Sequence, residues 1–242
     1  MPKFVELWVY LSATPLFGLT ATLVVYVLAQ DVYARLDQAA WANPVLWSVV
    51  VLASLLTLTG VDYPTYFSGA QFIHFLLGPA VVALAWPLWE RRHELIQRWR
   101  ALLVAALVGG VAASGSALAL GWAVGLPLDV VLSLAPKSVT APVAMGIADK
   151  IGGIPALAAV FAVITGMVGA LSSKALLNLL GIPTTAPGWM ARGFALGTAA
   201  HGIGAARAMQ VNADAGAYAG LALGMQVVLA SLLIPLLFWL FG

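Results

Sequence analysis

Apolar residues run along this chain in long blocks separated by short clusters of Gly, Pro and charge, and that spacing predicts membrane-crossing helices of about 20 residues each. The first block, Val5 to about Ala29, carries Pro15 and Gly18 and is followed by QDVYARLDQ, which reads as a polar loop. Asn43-Pro44 opens a second, shorter block from Val45 to about Thr59, closed by the turn-rich GVDYPTY. A third block, Gly69 to Trp89, is itself interrupted by Gln71, His74, Gly78-Pro79 and Pro87. RRHELIQRWR, Arg91 to Arg100, is the densest basic segment, and the positive-inside rule assigns it to the cytoplasm. Ala101 to about Val124 follows, with Gly109, Gly110, Gly115 and Gly121 predicting close helix contacts in a bundle interior. Pro155 to Leu180 is a further full helix containing Gly166 and Gly169, ended by Gly181-Ile182-Pro183, and about Ala215 to Phe241 is a last, featureless one.

Two blocks break the pattern where a membrane helix should be smooth. In LSLAPKSVTAPVAM, Leu132 to Met145, Pro136 and Pro142 each remove a backbone donor and strain the preceding turn. Between them stands Lys137, which costs about 2.5–3.5 kcal/mol at a bilayer centre. Asp149-Lys150 and Gly152-Gly153 close this stretch, and if it spans, Lys150 returns to the cytoplasm. In WMARGFALGTAAHGIGAARAMQ, Gly197, Gly202 and Gly204 flank His201 with almost no bulky side chains. Broken backbone at membrane depth is tolerated where it is buried in protein or lines a wet cavity. FLLGPAVVALA and SLAPKSVTAPVA share a lead-in, a proline break and a small-residue continuation, a weak sign of the internal repeat on which many transporters are built.

Composition sharpens the class. Of 242 residues 62% are hydrophobic and 8% charged, with a mean hydropathy of +1.00, which predicts an all-α polytopic membrane protein of seven or eight spans and one domain. The net charge of +2 comes from so few residues that it carries topology and no nucleic-acid footprint. There is no cysteine, which excludes disulfides, thiolate metal sites and cysteine nucleophiles. The weak basic start, with Lys3 alone ahead of the first block, predicts a retained first span and no cleaved signal.

The candidate chemistry sits at the breaks. Pro136, Lys137, Ser138 and Thr140 stand where a new helix would begin, with Thr140 at its cap, so unpaired amides and the positive helix end would reinforce Lys137 in holding a carboxylate. Against this, Lys137 could snorkel to an interface while the prolines only kink the helix. His201, beside Gly202 and Gly204, is a substrate ligand, a proton carrier or a hydrogen-bonded core residue. His74 near Gly78-Pro79 is a weaker candidate, and Arg192 and Arg207 read as interfacial anchors. Ser114-Gly115-Ser116 with His201 vaguely suggests an intramembrane serine protease, but leaves the lysine and prolines without a role.

LSLAPKSVTAPVAM, IADKIGGIPALAAVFAVITGMVGA and ALGTAAHGIGAARAM, with FLLGPAVVALAWPLW upstream, closely resemble the LrgB/CidB family over roughly Asp62 to Leu223. The resemblance implies residues 1–60 as scaffold helices and 61–242 as an LrgB-like core. Family members are described as antiholin-like modulators of murein hydrolase activity and cell lysis, with a small LrgA/CidA-type holin-like partner. Plastid relatives are glycolate/glycerate carriers, and bacterial relatives are associated with pyruvate uptake. The resemblance therefore implies a bacterial inner-membrane carrier of small monocarboxylates, acting by elevator-like alternating access, with Lys137, Ser138, Thr140, Pro136, His201, Gly202, Gly204 and His74 at its substrate. It implies no enzyme and no cofactor, the coupling ion, proton or sodium, being open, and a homodimer in the lipid bilayer. Gly146, Gln210, Ala213 and Ala215 stand where the family usually carries acidic residues, which puts its coupling in question.

Overall fold

A computed structural model describes residues 15–36, 39–76, 79, 89 and 92–241. It divides into two compact units, Met1–Ala83 and Leu84–Gly242. Four helices among the described residues are long and apolar enough to cross a membrane.

The first unit contains α1 (Pro15–Arg35), a short 3-10 turn (Ala40–Ala42), α2 (Pro44–Thr59) and α3 (Tyr63–Phe75). The expected polar loop after the first block is instead helical to Arg35, because nothing there breaks a helix and Asp31 pairs with Arg35 at 2.8 Å one turn on. Asn43 caps α2, its Oδ1 accepting from Val45 N at 2.9 Å and Leu46 N at 3.2 Å. GVDYPTY supplies a turn only as far as Asp62, since Pro64 sits in the first turn of α3, where its missing donor costs nothing. α1 packs against α3 at Gly18, where a side chain would collide with the Tyr66 carbonyl oxygen. Of the interrupted third block, His74 falls in α3 with its side chain outside the described residues, as are 77–78 and 80–88.

The second unit is built from α4 (Arg92–Ala123), α5 (Leu128–Leu134), α6 (Ala141–Ile151), α7 (Pro155–Leu179), α8 (Ala186–Val211) and α9 (Ala213–Phe241). Its contacts fix the direction of every element. α5 doubles back along α4: Gly121 faces Val131 and Leu134, and Ser114 Oγ donates to the Ala135 carbonyl at 2.7 Å. After the break at 135–140 the chain returns. Ile154 N donates to Ser133 Oγ at 2.7 Å, although 21 residues of continuous helix would separate the two by roughly 30 Å. α5 and α6 are thus the arms of a re-entrant hairpin, and the stretch expected to span comes back to the end where α4 finishes. Lys150 consequently lies at the opposite end of α4 from the basic segment. Gly152, at φ 83°, supplies the left-handed residue that ends α6 and frees the chain to turn into α7.

α8 also reverses. Its backbone leaves helical geometry at Ala200 and His201. A Cβ on Gly204 would lie 2.7 Å from the Leu196 carbonyl oxygen, eight residues back, where a straight helix would hold the two roughly 12 Å apart. A side chain on Gly193 would meet the Ala215 carbonyl, and one on Gly197 the Ala219 carbonyl. Residues 186–199 therefore run inward beside the start of α9, and 202–211 run back out. α9 lies parallel to α4, with Gln226 Nε2 donating to the Ala106 carbonyl at 2.6 Å and Leu118 packing in the cluster that holds Ile234 and Phe238.

α4 does not fill a bundle interior as its glycines predicted. Three of the four make contacts, Gly109 with Thr198, Gly110 with Gln226 and Gly121 with α5, while Gly115 faces open space and Val104, Val108, Val111, Leu120 and Trp122 stay exposed.

Candidate functional site between two hairpin tips

The tip of the first hairpin carries Pro136, Lys137, Ser138, Val139 and Thr140. Short-range bonds, Lys137 N to Leu134 O at 3.2 Å and Val139 N to Pro136 O at 3.1 Å, hold the turn, and Ser114 satisfies the Ala135 carbonyl from α4. Pro136 and Val139 are buried, and Ser138 is 6% exposed. Lys137 is half-buried and donates from Nζ to Ser138 Oγ at 3.4 Å, and among the described residues no carboxylate pairs with it. Thr140 holds the N-cap position of α6 in extended backbone, but its side chain makes no capping bond and Pro142 stands in the first turn. The positive end of α6 therefore opens beside Lys137 without a side-chain acceptor.

The tip of the second hairpin is His201. It is 4% exposed and takes φ 40°, ψ −135°, angles ordinarily left to glycine and the one positive φ outside glycine among the described residues. The residues that follow make the reversal feasible. Gly202 has open space where a side chain would project, and Gly204 has room for none against Leu196. The ring packs over Gly166, where a Cβ would lie 2.9 Å from its Cε1 and Nε2. Its Nε2 bonds the Ala162 carbonyl at 2.7 Å. A carbonyl only accepts, so Nε2 carries the hydrogen, and an uncharged ring keeps Nδ1 as a bare acceptor.

Two helices measure where the tips lie. On α4, Gly109 meets Thr198 of the second hairpin and Ser114 holds Ala135 of the first. Those positions are five residues apart, about 7.5 Å along the axis. Gly109 is also the fourteenth residue of the 28-residue apolar span Ile96–Ala123. On α7, Ala162 gives its carbonyl to His201 and belongs to the buried cluster that contains Ala135, Val139 and Ala144 of the first hairpin. The hairpins enter from opposite ends, and their contacts on α4 lie near the middle of its apolar span.

The remaining sequence candidates fall elsewhere. Arg192 is buried, against the expectation of an interfacial anchor: its guanidinium donates to Asn178 Oδ1 at 2.7 Å and to the Ile182 and Pro183 carbonyls, clasping the α7–α8 turn. Arg207 is buried in the return arm of the second hairpin. Ser114 and Ser116 both donate to backbone carbonyls, Ala135 and Ala113, and His201 is bonded to a third, so these groups form no nucleophile–base pair. Gly146 faces open space. The sequence reading missed the supporting residues: Ser133, which bonds both the Asp129 carbonyl and Ile154 N, and Thr198, whose buried hydroxyl has no hydrogen-bond partner among the described residues.

Apolar spans with two opposed re-entrant hairpins define a helical membrane protein with two discontinuous helices. The chain belongs to the LrgB-like family, whose profile matches residues 22–240. It is 34% identical over 220 residues to the uncharacterized protein YxaC of Bacillus subtilis strain 168, covering 91% of this chain and 94% of the relative. To the holin-like protein CidB of Staphylococcus epidermidis ATCC 12228 it is 27% identical over 232 residues, 96% of this chain and 98% of the relative. No solved structure matches it significantly.

Proposed function

We propose that this protein is a carrier of small monocarboxylates of the glycolate, glycerate, pyruvate or lactate class across the bacterial inner membrane, working by alternating access. The observation that carries the reading is the meeting of two opposed hairpins near the middle of the apolar span of α4, one bearing a lysine that no carboxylate among the described residues pairs with and the other a strained histidine. Lys137 and the open amides at the start of α6 bind the carboxylate. Ser138, Thr140 and His201 Nδ1 contact the hydroxyl or keto oxygen, while Pro136, Gly202 and Gly204 shape the tips. α4 with the first hairpin and α7 with the second form an inverted pair, since each is a helix followed by a hairpin and the two run in opposite directions. That arrangement supports a core that moves as a body, with the first unit as scaffold in a symmetric dimer.

The holin-like name of the CidB relatives favours a second reading, regulation of murein hydrolase activity and cell lysis alongside a small LrgA/CidA-type membrane partner. Liposome uptake separates the two. Saturable uptake of labelled pyruvate or glycolate, with mutual competition and loss in a folded Lys137→Ala variant, is the expected result. Leakage of unrelated solutes graded by size, or uptake indifferent to Lys137, would overturn the carrier.

A further inference from the structure

We propose that the cavity between α4 and α9 is a binding site for a small neutral aromatic molecule carrying one N–H or O–H donor, of the size of indole or a substituted phenol. This does not rest on the carrier reading. The cavity has a volume of about 180 Å³. Small residues open it. Gly110 and Gly115 of α4 and Ala230 of α9 line it, and nothing lies within 4 Å of where a side chain on Gly115 would project. Gly110 is the fifteenth residue of the 28-residue apolar span Ile96–Ala123, so the hollow lies near the middle of that span. Ala135, at the base of the first hairpin's tip, lines it too, and an occupant therefore touches α4, α9 and that hairpin together.

The lining decides the chemistry of the occupant. None of its residues is charged, and an unpaired charge at this depth is costly, which excludes carboxylates and ammonium ions. Its two polar side chains, Ser114 and Gln226, both present acceptors. Ser114 gives its hydrogen to the Ala135 carbonyl and keeps its lone pairs. Gln226 is 3% exposed and donates from Nε2 to the Ala106 carbonyl at 2.6 Å, while its Oε1 accepts no hydrogen bond among the described residues. That oxygen stands over Gly110, where a Cβ would lie 2.7 Å from it. Unlike the Thr198 hydroxyl it is not sealed off, so it borders the open space of the cavity. A carbonyl oxygen in apolar surroundings requires a donor, and a lipid acyl chain has none to give. Water would satisfy the oxygen but leave the apolar remainder unfilled, since a dry cavity of about 150 Å³ already holds benzene. One aromatic ring system with a donor at its edge meets both the volume and the acceptor.

The test immobilises the full chain in mild detergent and measures tritiated indole by scintillation proximity. One indole per chain should bind saturably, and unlabelled 1-methylindole, which has the shape but no donor, should displace it roughly tenfold less well than indole does. Gln226→Met, of similar length without the acceptor, should weaken indole to the level of 1-methylindole. Gly115→Leu, which fills open space from an exposed helix position, should abolish saturable binding without lowering Tm. Equal displacement by the two indoles would overturn the proposal, and that comparison needs only the wild type. Wild-type affinity in Gly115→Leu would overturn it as well. So would the absence of saturable binding in the wild type, the result expected if a lipid chain, a second copy or water alone occupies the hollow.

Discussion

Replacing His201 with glycine should leave the protein more stable than replacing it with alanine, the reverse of the order expected in a helix. Both substitutions delete the ring, its packing over Gly166 and its bond to the Ala162 carbonyl, so those losses cancel in the comparison. What remains is the backbone. In an ordinary helix interior alanine is better than glycine by about 1 kcal/mol. At φ 40°, ψ −135°, a residue with a Cβ is strained by about 1–3 kcal/mol, and glycine is not. Glycine gives back about 0.5–1 kcal/mol through the freedom it has in the unfolded chain. The balance favours His201→Gly over His201→Ala by up to about 2.5 kcal/mol, about 1.25 kcal/mol at the middle of the two ranges.

Thermal unfolding of both variants in the same detergent, followed by circular dichroism, reads the sign directly. A higher Tm for the glycine variant supports a reversal at residues 200–201. If the alanine variant melts at the same temperature or higher, position 201 is ordinary helix, and the second hairpin with its tip must be abandoned.

Other substitutions probe the neighbouring contacts. Gly193→Ala and Gly197→Ala should each destabilise by about 1–3 kcal/mol or prevent folding, because the new methyl meets backbone oxygen of α9, whereas Gly115→Ala faces open space and should be neutral or slightly stabilising in the same melts. Thr198→Val should raise stability by about 1 kcal/mol, since it removes a buried hydroxyl that has no partner among the described residues, at nearly constant shape; a drop in Tm would mean that the hydroxyl is engaged. Ser133→Ala strips the Ile154 amide of its acceptor and should cost about 1–3 kcal/mol, with hydrogen exchange at 152–155 accelerating more than exchange in α9.

Helix existence was legible in the apolar blocks, because twenty-residue runs leave few alternatives in hydrocarbon, and the breaks were legible because proline and glycine act on the backbone locally. Direction was not. Whether a broken block crosses or returns depends on Ser133 reaching Ile154 and on Gly193 admitting the Ala215 carbonyl, contacts between residues 21 and 22 positions apart that no local pattern encodes. The strain at His201 escaped notice for a related reason: histidine gives no sign of adopting a glycine backbone, and only the glycines around it hinted at a tight place. Arg192 misled because an arginine near a block end resembles a snorkelling anchor, whereas here the turn after α7 leaves carbonyls that a guanidinium can gather. α4 misled in the opposite way: three of its glycines mark contacts on one side, Gly115 faces open space, and the helix is not buried all round.

If the tips hold the substrate as proposed, they also constrain its charge. Lys137 brings a single positive charge to mid-depth, and among the described residues no carboxylate pairs with it. On the carrier reading proposed above, a monocarboxylate neutralises that charge. A dicarboxylate of similar length leaves one negative charge uncompensated, at a depth where a charged group costs about 2.5–3.5 kcal/mol. That cost corresponds to roughly two orders of magnitude in affinity. Succinate should therefore compete with labelled pyruvate about a hundredfold less well than unlabelled glycolate does. Competition of equal strength would mean that a second cation reaches the tips, and the single-lysine account of selectivity would fail even if Lys137 proved essential.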